Sequence, residues 1–202
     1  MRAADYWNTA MEVDDYVGQM TQNREVFAER IETTQLTDEQ RRAFAGNPVR
    51  ILILTEDFCG DSAQFIPPVA RLARESDDVA VRVLRRNDGR DLAANYRRKD
   101  GYQAIPVFII LGPGGEERGF VIERPQVAYT EMAAETRRFA AEHPDLEGVN
   151  RAYDRMPDDT RTAVRANSER FRLTRTDTWV AALFDELAAA SRTGAPSIVA
   201  SV

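Results

Sequence analysis

At 202 residues, with 43% hydrophobic and 30% charged side chains, the chain has the composition of one ordinary globular domain with embellishments. Its net charge of −6 weighs against non-specific nucleic-acid binding, which needs a basic face. No apolar run approaches the ~18–20 residues of a membrane span, and the stretch from Met1 to Trp7 lacks the apolar core of a signal peptide.

Residues 4–45 read as helices. Tyr6, Trp7, Met11, Val13, Tyr16, Val17 and Met20 recur at roughly helical spacing, and a second helix runs through Arg24–Ile31. Thr37-Asp38-Glu39-Gln40 is a capping box with Thr37 as N-cap, and Gly46-Asn47-Pro48 breaks the helical stretch. The middle of the chain then alternates. Val49–Leu54 is a strand, and Asp61–Arg74 is a helix that Pro67 and Pro68 should kink. Val79–Leu84 is a strand parallel to the first, and Asp91–Arg98 is a short helix. Ile105–Leu111 is nearly all apolar and so a central strand; Gly112-Pro113-Gly114-Gly115 turns it into an antiparallel partner, Glu117–Ile122. Arg124-Pro125 opens a helix that runs to about Glu142 and stops at His143-Pro144. Two more helices are predicted, one over 158–170 and one starting at Thr176-Asp177-Thr178, with Trp179, Leu183, Phe184 and Leu187 on one face. These elements divide the chain into a helical extension (1–46), an α/β core (47–145), a second helical extension (146–192) and a loose tail (193–202). There is no internal repeat and no low-complexity segment.

Cys59 is the sole cysteine, and it stands where the first strand turns into a helix. No internal disulfide can form, which points to a reducing, cytoplasmic setting. The free N–H groups and dipole of a first helical turn favour thiolate, the nucleophilic form. Ser62, three residues on, stands where a dithiol site carries its second sulfur, so one sulfur has to do any redox work alone. A Ser62 hydroxyl can donate a hydrogen bond to the thiolate and lower the thiol pKa. Glu56, Asp57 and Asp61 oppose this by like charge, and no cation lies within the motif to offset them.

The order strand–helix–strand–helix–strand–strand–helix, with a cysteine at the first strand-to-helix turn, resembles the thioredoxin family. Phe58-Cys59-Gly60-Asp61-Ser62 is similar to the family's Trp-Cys-Gly-Pro-Cys site. Pro67 matches the proline in the active-site helix, and Ile105-Pro106-Val107 resembles the cis-proline loop. The run from Leu54 to Asp61, the helical ends and Arg124-Pro125 resemble in particular one bacterial subgroup of about this length. The resemblance implies a thioredoxin-like α/β fold, a mixed sheet of about four strands flanked by helices, with added helices at both termini. It also implies that Pro106 is cis, presenting the backbone of Ile105 to an extended substrate, with Phe58, Gly60 and Asp61 beside it. The chain departs from working thioredoxins at Ser62, at Phe58, and at Ile53, which stands where they carry a buried aspartate.

A monothiol site leaves three chemistries: exchange with a low-molecular-weight thiol, disulfide shuffling in a protein partner, and oxidation to a sulfenic acid. The expected activity is thiol–disulfide exchange in which Cys59 is the nucleophile, Ser62 its hydrogen-bond donor, and an outside thiol the resolving agent. The alternative is a redox-inactive binding or scaffold module; a glutathione-transferase-like enzyme is a weaker third reading, because Val107-Phe108 follows Pro106 where an acidic residue and a serine should stand. Expected partners are a thiol- or disulfide-bearing protein or a small thiol, with neither nucleic acid nor membrane. An exposed Cys59 could also join two copies as a homodimer. No cofactor and no metal is expected: His143 is the only histidine, and no ligand spacing surrounds it. Gly112–Gly115 lacks the Lys-Ser/Thr ending of a phosphate loop, and Glu56 stands where a peroxiredoxin would carry Thr or Ser.

Overall fold

The structure, a computed structural model, describes residues 1–193. The tail expected over 193–202 lies, from residue 194 onward, outside the described residues. The elements run α1 (Ala3–Tyr6), β1 (Met11–Glu12), α2 (Val13–Gly18), α3 (Arg24–Thr33), α4 (Asp38–Arg42), β2 (Val49–Thr55), α5 (Gly60–Glu75), β3 (Val79–Arg85), α6 (Arg90–Ala93), β4 (Val107–Leu111), β5 (Glu117–Ile122), α7 (Gln126–Glu142) and α8 (Asp158–Thr193). A short 3-10 turn, Tyr153–Arg155, precedes α8.

The sheet has the order β1-β3-β2-β4-β5, with β2 and β3 parallel and the other pairs antiparallel. β2 lies at its centre, buried on both faces, which is why it reads as an unbroken apolar run rather than an alternation. Its side chains still divide by the period of two. Ile51 and Ile53 face a core built with Phe27, Phe65, Val69 and Trp179, whereas Leu52 and Leu54 face a second core with Trp7, Leu92, Tyr96 and Ile109. A small third cluster of Phe139, Val149, Met156 and Val164 packs under the α7–α8 connection.

Four sequence expectations are corrected. The sheet has five strands rather than about four, because Met11 and Glu12 pair with Val83 and Arg82 inside the stretch read as helical. Two residues are too few to show a period; the free edge of β3 makes the strand. The helix expected over Asp91–Arg98 is a single turn, after which the chain loops: the Arg98 N–H donates to Tyr102 O and its side chain joins Glu123 and Asp100. The third strand begins at Val107 rather than Ile105, since Ile105 and Pro106 lie outside its ladder. Finally, the two C-terminal helices are one, α8, 36 residues long. Thr174 and Thr176 do not cap anything. Their hydroxyls donate back to the carbonyls of Phe171 and Arg172, and no glycine or proline interrupts the helix. α5 likewise continues through Pro67 and Pro68. Among the described residues, no helix is long and apolar enough to cross a membrane.

Candidate functional site

β2 delivers the chain to the open end of the sheet, where residues 56–59 turn it into α5. Cys59 is the N-cap of α5, in extended backbone conformation, and is half-buried. Phe58 beside it is 53% exposed. Across from it the Ile105–Pro106 peptide bond is cis, and the Cys59 thiol donates to the Ile105 carbonyl at 3.3 Å. Thus two segments 46 residues apart meet at the sulfur.

Ser62 is fully buried one turn into α5. Its hydroxyl accepts a hydrogen bond from Thr55 Oγ1 at 2.6 Å, so its own hydrogen is free to turn to Cys59. Burial pushes the Cys59 thiol above its ordinary value. The Ser62 hydroxyl and the N–H groups of Ser62 and Asp61 pull it down, the Asp61 carboxylate pushes it up again, and the balance is upward. The thiol is held by the Ile105 carbonyl, and desolvation outweighs the helix terminus that the sequence puts forward.

The three acidic neighbours are each tied down by residues far away in the chain. Asp57 accepts from the N–H and hydroxyl of Thr21 at 2.8 and 2.9 Å, and Asn23 donates to its carbonyl. The Thr21 N–H holds the Asp57 carboxyl below its usual range. Glu56 accepts from the N–H of Asn87, with Arg85 at 4.0 Å. Asp61 is clasped by Arg124 at 2.7 Å and Arg172 at 2.6 Å. Arg124 also pairs with Glu123 at 2.5 Å, and Glu123 is held in turn by Arg98 and the Tyr129 hydroxyl. Burial alone would raise the Glu123 carboxyl, but Arg124, Tyr129 and Arg98 hold it below its ordinary range. The Glu123 N–H donates to Pro106 O at 2.6 Å, which joins this network to the loop facing Cys59.

The structure thus gathers Phe58, Cys59, Gly60, Asp61, Ser62, Ile105 and Pro106 in one place. It commits the Asp61 side chain to two arginines, leaving little of it for a substrate. The residues that sequence reasoning missed are Thr21, Thr55 and Arg172. Thr55 lies inside the motif and could have been found as the hydroxyl that ends β2, seven residues before Ser62. Thr21 and Arg172 carry no local signal. No group of three or more His, Cys, Asp or Glu that could hold a metal occurs among the described residues. The arrangement brings together one sulfur and a main-chain carbonyl, with no second thiol.

A sequence model of the family described as Thioredoxin matches residues 10–137. No curated protein matches the chain. Among solved structures, an HIV epitope-scaffold superposes with a TM-score of 0.59 at 14% identity, covering 94% of this chain and 97% of that one. A protein of unknown function from Pseudomonas aeruginosa superposes with a TM-score of 0.57, also at 14% identity, covering 86% of this chain and 99% of that one. At such identity both likenesses speak for the fold alone.

Proposed function

The chain belongs to the thioredoxin family, and from that premise we propose that it is a monothiol thiol–disulfide exchange protein acting through Cys59. The observation that carries the reading is the meeting of the half-buried Cys59 with the Ile105 carbonyl at 3.3 Å, beside the exposed ring of Phe58. A disulfide-bearing partner laid along Ile105 would displace the thiol from that carbonyl. Cys59 loses its proton, and its thiolate attacks one partner sulfur; the partner S–S bond breaks, and the departing sulfur leaves as a thiolate that takes up a proton. The product is a mixed disulfide at Cys59. Ser62 has no sulfur to resolve it, so an external thiolate must attack, freeing Cys59 and forming a new disulfide with the partner. A sulfur whose pKa is raised is the poorer leaving group, which slows release of Cys59 from the mixed disulfide. This favours capture and slow release over rapid turnover. A reducing cytoplasm, where small thiols are abundant, suits both steps.

The test is mass spectrometry of the reduced protein after exposure to 2-hydroxyethyl disulfide. The expected result is a single adduct at Cys59, stable on removal of excess reagent, released by added thiol and absent in Cys59→Ser. The second reading, a redox-inactive binding module, is favoured by the upward push of burial on the thiol. It takes first place if the folded protein forms no adduct while the denatured one does.

A further inference from the structure

Beside the cysteine, a cleft of about 880 Å³ opens between α5, α7 and α8, and Gly60 forms part of its wall. Gly60 follows Cys59 directly, and a Cβ built there would meet open space, so the cleft wall nearest the cysteine carries no side chain at that residue. Arg30, Arg124, Arg165 and Arg172 line the cleft against two carboxylates, Asp61 and Glu169. That balance is positive in a chain whose net charge is −6. Two residues of the cleft wall each carry an enclosed donor with no partner. Gln64 is 6% exposed; its Oε1 accepts from Arg172 at 3.3 Å, but its Nε2 has no partner. Arg124 gives its NH2 group to Asp61 and Glu123, and its buried Nε has no partner. Buried donors are rarely left so in proteins. A small turn of either side chain toward the cleft would bring its donor to an acceptor on a ligand there. The volume falls within the range of small-molecule sites, and Met132 and Leu173 supply apolar wall for the body of such a molecule.

We infer that this cleft binds the carboxylate end of a small thiol or disulfide, with the sulfur end reaching Cys59 over Gly60. The inference rests on the exchange reading in placing a sulfur at Cys59, but the carboxylate site itself does not. Arg172 is the selecting residue: it is half-buried, it contacts both Asp61 and Gln64, and it comes from α8.

The first arm uses S-methylglutathione, which carries two carboxylates and no reactive sulfur, titrated calorimetrically into the reduced protein. Saturable binding is expected, weakened about tenfold or more by Arg172→Ala and by esterifying both carboxylates, a loss in keeping with one charge-assisted hydrogen bond. Gln64→Leu serves as a second variant, with circular dichroism to confirm that each folds. The second arm compares adduct formation by oxidised glutathione with that by neutral 2-hydroxyethyl disulfide. The carboxylate-bearing disulfide should be preferred, and Arg172→Ala should erase the preference; the neutral reagent corrects for any change in the thiol itself. Binding without exchange would overturn the exchange reading and leave the carboxylate site standing. Exchange without binding, or equal binding of the diester, would overturn the site and leave the exchange reading standing. Binding of an acidic cysteine-free peptide in place of S-methylglutathione would overturn the small-ligand assignment.

Discussion

Ser62 has one hydrogen to give, and Thr55 directs it. With Thr55 donating at 2.6 Å, the Ser62 oxygen is occupied and its hydrogen is left for the Cys59 sulfur. Hydrogen bonds to charged groups contribute about 1.5–3 kcal/mol, and one pKa unit is about 1.4 kcal/mol. Ser62→Ala should therefore raise the titration midpoint of Cys59 alkylation by about one to two units, cutting the rate at pH 7 by about ten- to a hundredfold. Thr55→Val should move it the same way by less. An unchanged midpoint in Ser62→Ala would show that the hydroxyl does not touch the thiolate. Asp57 acts on stability instead. Its folded pKa is depressed, so its contribution is fully present above the unfolded value of about 3.9 and is lost as pH falls through the folded value. Asp57→Asn should lower Tm at pH 7 and flatten the fall in Tm between pH 5 and 3; Glu123, depressed in the same direction, keeps the remaining slope. At this scale the sulfur, Ser62 and the Ile105–Pro106 loop were legible, because each sits in a short contiguous motif. Arg172 was not, because its partner Asp61 is 111 residues away.

Among the elements, α8 shows where local signals are overruled. Thr176-Asp177-Thr178 has the composition of a helix start, yet the helix runs straight through it. If Thr176 were an N-cap, Thr176→Ala would cost about 1 kcal/mol. In one continuous helix, with its hydroxyl bonded back to Arg172 O at 3.0 Å, the change should be neutral or slightly stabilising, as chemical denaturation would read. Trp179, three residues on, is the opposite case. It is fully buried, its indole N–H donates to Glu131 at 2.7 Å, and its ring meets Phe171 edge-on at 5.9 Å. Trp179→Ala should destabilise by about 3–5 kcal/mol. The predicted face Trp179–Leu183–Phe184–Leu187 was readable because four large apolar residues at helical spacing outweigh any single capping residue. β1 was unreadable for the converse reason: two residues carry no period.

At the scale of the whole molecule, the terminal extensions are part of the core and of the site. One buried cluster contains Tyr16 and Phe27 from before the sheet, Ile51 and Phe65 from within it, and Trp179 and Leu187 from after it. Thr21 and Asn23 fasten the loop before Cys59, and Arg172 fastens the first turn after it. Composition and motif order revealed the class of fold, whereas this enclosure depends on contacts across more than a hundred residues. Unfolding should accordingly be one cooperative transition, with helix loss and thiol exposure coincident in the same denaturant titration. An earlier transition confined to α8 would separate the extension from the core.

The central claim is that the fold presents Cys59 to disulfides rather than merely burying it. The most direct measurement is the rate of mixed-disulfide formation divided by the rate of iodoacetamide alkylation at the same pH, in folded and in denatured protein. Alkylation reports the available thiolate alone, and should be slower in the folded state, with a midpoint above the free-thiol value of about 8.5. The exchange-to-alkylation ratio should nevertheless be higher in the folded protein, because the Ile105 edge and the cleft orient the disulfide. A ratio equal to or below that of the denatured chain would contradict the exchange function and identify the protein as a thioredoxin-fold binding module.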